Sequence, residues 1–329
     1  MLSRVADSLY WMSRYLERAE HTARAVDIQL QLALDEAPSS ASMGWVCLLN
    51  GLRLEMPADL CANGRAIASA LLFERGNNSS VNSCIEQARE NARQIREQIT
   101  SDVWEELNRV YLTVREKNID DVWREGPHGF LRRVQRGAQL LAGVADSTMD
   151  HSEGWQFIRL GRFIERSIGL AWLLDAHFGV RGPDFDGDPS SDDSVVWSGL
   201  LRSCTAFEPY CKMHTAEIRP RWILQFLLFN ADFPHSLRFC ATEIEAAIDA
   251  LSEDTGTLRS SPVRQLAGRL RADLDFRVID EVVDAGLAEY LRRIVGLCSK
   301  VHNAVYDRYI SYTVDAALRG DGARTAAAF

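Results

Sequence analysis

The chain has 329 residues, 47% of them hydrophobic and 25% charged, which is the composition of a globular protein with a large core. Its 37 basic and 46 acidic side chains give a net charge of −9, which argues against nucleic acid as a partner. No apolar run approaches the roughly 20 residues that cross a bilayer, and charged residues interrupt the N-terminal segment where a signal peptide would be apolar. The seven cysteines are scattered without a CxxC pair, so we expect reduced thiols in a cytoplasmic protein.

The first part of the chain is predicted to be helical throughout. Apolar residues recur at alternating spacings of four and three from Val5 to Leu30, which predicts a long amphipathic helix over 3–34. A polar stripe from Tyr10 to Arg24 runs beside the apolar one. Further helices are predicted at 43–52, 57–72, 80–99, 102–117 and 127–150, and Ser101 or Asp102 is expected to cap the helix at 102–117.

The second part repeats this plan. Helices are predicted at 153–178, 195–214, 220–229, 234–252, 257–275 and 280–316. No stretch shows the period-two alternation of a half-buried strand. The predicted fold class is therefore all-α, a multi-helix bundle.

An internal repeat organises this bundle. The stretch Arg14-Tyr15-Leu16-Glu17-Arg18 returns as Arg162-Phe163-Ile164-Glu165-Arg166, 148 residues later (162 − 14). Further matches follow in the same order at slowly growing offsets: Pro38-Ser39-Ser40 with Pro189-Ser190-Ser191, Trp45 with Trp197, and Leu71-Leu72-Phe73 with Leu227-Leu228-Phe229. We therefore predict a duplication, with quasi-equivalent halves at 1–150 and 151–329 that pack together as one unit.

The repeated motif supplies the candidate site. Arginine, glutamate and arginine at positions i, i+3 and i+4 share one helix face, at Arg14, Glu17 and Arg18 and again at Arg162, Glu165 and Arg166. If the two halves face each other, these clusters meet. One interpretation is a buried ion network that pairs Arg14 with Glu165 and Arg162 with Glu17. The other is a pocket whose arginines bind an anion or a carboxylate.

Two turns offer a second set of candidate residues. Ser80 and Ser236 each stand just before a predicted helix, where a serine hydroxyl usually caps the helix. A helix N-terminus also attracts anions, and His235 and Arg238 lie close by in the sequence. Both interpretations remain open for these four residues.

The sequence has no motif for a metal or a nucleotide. Glu17 and His21 have the spacing of metal ligands on one helix, but the second copy has Ile168 and Gly169 where a matching ligand would be needed. The P-loop, dinucleotide-binding, zinc-protease and nucleophile-elbow motifs are all absent. No metal and no cofactor are therefore expected.

Four stretches resemble the bacterial alpha-E family: Leu2 to Arg24, Ala88 to Arg93, Gly161 to Arg166, and Phe226 to Cys240. The resemblance covers almost the whole chain. It implies an all-helical partner of a circularly permuted ATP-grasp ligase, together with a transglutaminase-like protein. By motif match it also implies that Glu17 and Glu165 are the functional positions.

Two functional hypotheses follow from the resemblance and the residues together. The first is an accessory subunit that helps to present or receive a peptide or amino-acid substrate in an amide-bond-forming system. The second is an enzyme of that system that uses Glu17 or Glu165 as a general base or acid, with the arginines holding a substrate carboxylate or phosphate. The second hypothesis requires a pocket and a glutamate whose pKa is raised by burial.

Overall fold

The computed structural model describes residues 1–35, 38–55, 63–181, 191–215, 217–256 and 260–311. These residues form fifteen α-helices and no strand, which confirms the all-α fold class. The first seven helices are α1 Ser3–Asp35, α2 Pro38–Gly51, α3 Gly64–Leu72, α4 Val81–Gln94, α5 Ser101–Arg115, α6 Ile119–Glu125 and α7 Pro127–Thr148. The remaining eight are α8 Glu153–Arg181, α9 Ser191–Ser203, α10 Phe207–His214, α11 Pro220–Phe229, α12 Leu237–Asp254, α13 Pro262–Phe276, α14 Ile279–Ala285 and α15 Leu287–Val305. A short 3-10 helix, Arg96–Gln98, follows α4, and a π-helical turn, Tyr306–Ile310, follows α15.

Helix α1 is buried on nearly all sides. Its predicted apolar stripe lies in the core, where Leu9, Met12 and Val26 are fully buried. The neighbouring polar stripe is covered as well, since Arg14 and Glu17 are only 7% and 8% exposed. Helices α2, α4, α7, α8 and α9 pack around α1 and account for this burial. The charged residues of the motif are therefore inside the bundle.

Helix α8 lies beside α1 and runs in the same direction. The N-terminal ammonium group of Met1 pairs with Glu153 at the start of α8, at 2.6 Å. About five turns further along both helices, the ring of His21 lies against Gly169. Because both helices advance together, successive residues of α1 meet successive residues of α8.

The two helices approach most closely in the N-terminal part of this contact. The Ser13 hydroxyl donates a hydrogen bond to the carbonyl oxygen of Ile158 at 2.6 Å. A Cβ atom on Gly161 would overlap the carbonyl oxygen of Tyr10, so this position has no room for a side chain. Glycine at 161 therefore lets α8 lie close enough to α1 for their charged side chains to reach each other.

The other helices surround this central pair. Helices α2, α12 and α15 pack on α8; α5 packs on α4 and α7; and α13 packs on α12 and α15. The series α1, α4, α5, α7 thus parallels the series α8, α12, α13, α15. Gly126 and Gly286, with φ of 91° and 96°, precede the last helix of each series. The predicted duplication requires such a parallel order. The duplication and the division at residue 150 stay predictions, and the repeat match at Pro189-Ser190 lies outside the described residues.

Several predicted boundaries were wrong for local reasons. The helix predicted at 195–214 is divided into α9 and α10 at Thr205, whose φ of 55° is left-handed. The helix predicted at 280–316 is interrupted at Gly286, whose φ is positive. Helix α6 was not predicted. Thr100 caps α5 in place of Ser101 or Asp102.

Parts of three further predictions, 57–62, 257–259 and 312–316, fall outside the described residues. Within the described ranges, no helix combines the length and the apolar character needed to cross a bilayer.

Candidate functional site

The two Arg-Glu-Arg clusters meet where α1 and α8 lie side by side. Glu165 accepts a hydrogen bond from Arg14 Nε at 2.7 Å and another from Arg18 Nε at 2.6 Å. Glu17 accepts two bonds from Arg166, whose Nε and Nη2 atoms lie 2.6 and 2.9 Å from the carboxylate oxygens. The motif thus forms three ion pairs between the two helices.

Arg162 does not pair with Glu17, so this predicted pair is wrong. Both carboxylate oxygens of Glu17 accept hydrogen bonds from Arg166, one from Nε and one from Nη2. This bidentate arrangement is a favourable geometry for an arginine and a carboxylate. No hydrogen bond or ion pair joins Arg162 to another residue in the part of the chain that the structure describes. Its side chain lines a cleft of its own, between α1, α7 and α8.

The ion pairs control the protonation of Glu165. Burial on its own raises the pKa of this carboxyl group, because it disfavours the charged form. The guanidinium groups of Arg14 and Arg18 outweigh burial, so the pKa of Glu165 lies below its ordinary value of 4.5. Glu165 is therefore an ionised, hydrogen-bonded carboxylate at neutral pH.

Aromatic side chains also contact Arg14. Its guanidinium carbon lies 4.7 Å from the centre of the Trp11 ring. The Tyr10 hydroxyl, 3.4 Å from Arg14 Nη1, shares a hydrogen bond with His302 Nδ1 at 2.8 Å. His302 belongs to α15, so this network extends from the central pair to the last long helix.

A cleft of about 240 Å³, which we call the first cleft, lies beside these ion pairs. Its wall includes both motif glutamates and two motif arginines, together with the end of α2 and the turn before α4. The residues that line it are Glu17, Arg18, His21, Thr22, Gly51, Leu52, Arg53, Leu54, Leu71, Asn77, Ser79, Glu165, Arg166, Ile168, Gly169 and Trp172. The motif is thus accessible from a cavity as well as being part of the core.

Arg53 is the cation of the first cleft that has no carboxylate partner. It follows α2 with a left-handed backbone, φ 55°, and its guanidinium carbon lies 4.2 Å from the centre of the Trp172 ring. No ion pair joins it to any residue in the described ranges. The stacking holds the guanidinium group in place, and its N–H donors have no hydrogen-bond partner among the residues that the structure describes.

His21 gives the wall of the first cleft an unsatisfied polar atom. Its Nε2 atom is buried and has no hydrogen-bond partner among the described parts of the chain. Burial lowers the pKa of His21 below 6.5, and the nearby carboxylates of Glu17 and Glu165 only partly oppose this. The ring is therefore neutral at pH 7 and can donate or accept one hydrogen bond.

The predicted anion-binding serines serve as helix caps. The hydroxyl of Ser80 accepts a bond from the Ser83 amide at 3.2 Å, and that of Ser236 accepts one from the Phe239 amide at 3.0 Å. Ser236 also donates to the carbonyl oxygen of Asn230. Both serines are fully buried, and these bonds satisfy their hydroxyl groups. The predicted anion-binding role of the two serines stays a prediction.

The two basic residues near Ser236 lie apart from each other. Arg238 pairs with Asp275 of α13 at 2.8 Å, which ties α12 to that helix. His235 lines the same cleft as Arg162. Burial, reinforced by the nearby positive charge of Arg166, holds the pKa of His235 well below 6.5. The turn before α12 therefore brings His235, and not Arg238, towards the motif.

Sequence reasoning missed Arg53 and Trp172. Trp172 stands seven residues after Glu165 and so shares its helix face, a signal that the motif alone could have supplied. Arg53 depends on the chain reversal after α2, where Leu52 and Leu54 give no turn signal. Among the residues that the structure describes, no group of histidine, cysteine, aspartate and glutamate side chains is arranged to hold a metal ion.

The chain was compared with known proteins. A family described as a predicted alpha-helical domain with a conserved ER motif, Alpha-E, matches residues 1–310. An uncharacterized protein of Mycobacterium bovis is 24% identical over 316 residues, which cover 89% of this chain and 35% of that protein. An uncharacterized protein of Mycobacterium tuberculosis matches with the same identity and coverage. The chain thus spans about a third of the length of these curated relatives, and no solved structure matches it.

The family's ER motif has a clear place in the structure. Glu17-Arg18 and Glu165-Arg166 are Glu-Arg dipeptides, and all four residues take part in the interhelical ion pairs. A third dipeptide, Glu74-Arg75, is exposed in the turn before α4. The match over residues 1–310, the helical fold and the two paired dipeptides agree: the chain belongs to the Alpha-E family.

Proposed function

We propose that this chain is a helical partner of a circularly permuted ATP-grasp ligase in a peptide- or amide-bond-forming system. In this proposal the first cleft receives the carboxylate end of the peptide or amino-acid substrate, and a transglutaminase-like protein acts in the same system. The partnership rests on the family resemblance around Glu17 and Glu165. The use of the first cleft rests on one observation, the guanidinium group of Arg53 above Trp172, which forms no ion pair with any described residue.

The charges of the first cleft favour an anionic ligand. Arg18, Arg53 and Arg166 line it with three positive charges, and Glu17 and Glu165 with two negative ones, so one positive charge is in excess (3 − 2). The two glutamates are already bound by motif arginines. A carboxylate on the substrate would pair with Arg53, and its neighbouring polar groups could reach the buried Nε2 atom of His21.

The chemistry of Glu165 favours binding over proton transfer. A general base works best when its pKa lies near the working pH, which for a glutamate means a raised value. The pKa of Glu165 is lowered by Arg14 and Arg18, against the effect of burial. The alternative role as an enzyme with a catalytic glutamate therefore has less support than the role of a substrate-binding partner.

The proposal is tested by reconstitution with the ATP-grasp ligase from the same genome. Co-purification measures the partnership, and ADP release with candidate amino acids or peptides measures the reaction with and without this chain. Arg53→Gln should leave the complex intact and raise the substrate concentration needed for half-maximal rate by about tenfold, the effect of one charged hydrogen-bonded contact.

Arg65→Gln is the matched control. Arg65 also lies over a tryptophan, Trp123, at 5.8 Å, but it does not line the first cleft. The control should behave like the unaltered chain. Failure to co-purify with the ligase would refute the partnership, whereas an intact complex in which Arg53→Gln and Arg65→Gln have equal effects would refute the use of the first cleft.

A further inference from the structure

A second cleft lies between α1, α7 and α8 and shares the Glu17–Arg166 pair with the first cleft. Its volume is about 170 Å³, enough for a ligand of several heavy atoms. Much of its wall is aliphatic: Leu16, Ala138, Leu141, Ala142 and Ile158. The polar part of the wall includes Arg162 and His235, which are absent from the first cleft.

Arg162 is the unpaired charge of this second cleft. It stands at the repeat position of Arg14, which is bound to Glu165 and stacked on Trp11. Arg162 has neither kind of partner in the described ranges. Arg162 is partly buried, and bringing an unpaired charge out of water becomes more costly as its burial increases. A guanidinium group in this position therefore favours a ligand that brings its own negative charge.

The neighbouring carboxylates cannot supply that charge. Glu17 is bound by the fork of Arg166, and Glu20 is paired with Arg24 one turn along α1. His235 is neutral at pH 7, since burial and Arg166 hold its pKa well below 6.5. Asp146 and Glu243 also attract Arg162 at a distance, but neither forms an ion pair with it, and Glu243 is paired with Arg159. Within the described residues, Arg162 therefore has no carboxylate bound to it. A single negative charge would balance that of Arg162, whereas a doubly charged phosphate would be repelled by the two nearby glutamates.

We infer that the second cleft is a binding site for a short aliphatic monocarboxylate. The carboxylate pairs with the guanidinium group of Arg162, and the aliphatic chain packs against Leu16, Leu141 and Ile158. The combination of one charged anchor and an otherwise largely apolar wall is typical of small-molecule sites. This site is separate from the substrate cleft proposed above, because Arg53 does not line it and Arg162 does not line the first cleft.

The experiment uses 4-methylpentanoate as the probe and measures binding to the full chain by isothermal titration and ligand-observed NMR. The uncharged amide of the same acid tests the need for the carboxylate, and leucine tests whether an added ammonium group is tolerated. Arg162→Gln should weaken binding of the acid by at least about tenfold, the effect of one charge-assisted pair. The unaltered chain should bind the amide more weakly than the acid, by the same factor.

Two further variants separate the site from its alternatives. Ala142→Leu fills the second cleft without changing its charge, so it should also abolish binding while thermal unfolding shows a folded chain. Arg136→Gln is the matched control, because Arg136 is exposed on α7 and does not line the second cleft. The inference is overturned if the unaltered chain does not bind the acid at millimolar concentration, or if the amide binds as well as the acid. It is also overturned if Arg53→Gln, and not Arg162→Gln, weakens binding. Leucine binding equal to that of the acid supports the site and extends its ligands to amino acids.

Discussion

Glu165→Gln is expected to destabilise the fold by about 3 kcal/mol. The carboxylate accepts bonds from two arginines, and its pair with Arg14 is nearly closed to water, with side-chain exposures of 9% and 10%. Removing one partner of a buried ion pair costs roughly 3–5 kcal/mol, because the other charge stays buried without a partner. The amide oxygen of glutamine still accepts one bond, and Arg18 is 26% exposed and can turn to water. Because of both effects, we expect the loss in free energy of unfolding to be near the lower end of that range.

Urea unfolding at neutral pH, followed by tryptophan fluorescence and circular dichroism, measures this loss. Glu90→Gln is the matched control, because Glu90 pairs with Arg93 on the exposed face of α4, and no measurable change is expected there. The double change Arg14→Met with Glu165→Leu should recover about 2 kcal/mol of the loss, since apolar residues can replace a buried pair. A loss below about 1 kcal/mol for Glu165→Gln, or no recovery in the double variant, would refute this account of the buried network.

Further predictions concern pH, packing and capping. The pKa of Glu165 is lowered in the folded state, so its contribution to the free energy of unfolding is fully present above pH 4.5. This contribution is lost as the pH falls through the pKa of Glu165 in the folded protein. In the Glu165→Gln variant, the free energy of unfolding should therefore fall less steeply in acid. The lowered pKa of His235 should make stability decline as the pH falls below 6.5, and His235→Asn should reduce that slope, with His21 and His302 accounting for part of what is left. Gly161→Ala should destabilise by about 2 kcal/mol in thermal unfolding, whereas Gly143→Ala, at an open position of α7, should stabilise by about 0.5–1 kcal/mol. Ser236→Ala should cost about 1–2 kcal/mol with and without added phosphate, and a phosphate-dependent difference would instead support an anion site.

The sequence was sufficient to predict most of the helices and, given two halves that face each other, the meeting of the two motifs. The 3.6-residue period of α1 and α8 is strong, and the repeated Arg-Glu-Arg pattern identifies one face on each helix. It was not sufficient to predict which arginine binds which carboxylate. Arg162 and Arg166 are one turn apart, about 5.4 Å along the helix, and only the relative shift of the two helices decides which one reaches Glu17.

The clefts were less predictable than the ion pairs. A cleft forms where neighbouring helices diverge, and this depends on side chains from several elements at once. The His21 ring, for example, lies against Gly169 of the neighbouring helix, and the left-handed backbone of Arg53 turns the chain after α2. Neither residue carries a signal of this role in its own stretch of sequence. Local patterns therefore predicted the charged motif, and only the packed structure gave the cavities beside it.

The side-by-side arrangement of α1 and α8 also has a consequence for biosynthesis. Helix α8 begins 118 residues after α1 ends (153 − 35), so the ribosome releases α1 long before its main neighbour exists. At bacterial and eukaryotic elongation speeds this interval is on the order of 10 s. During that time the part of α1 that α8 later covers has no partner, and Arg14 and Arg18 lack the carboxylate of Glu165. Truncated chains that stop before α8 should therefore be captured by chaperones or aggregate, whereas chains that extend through it should not.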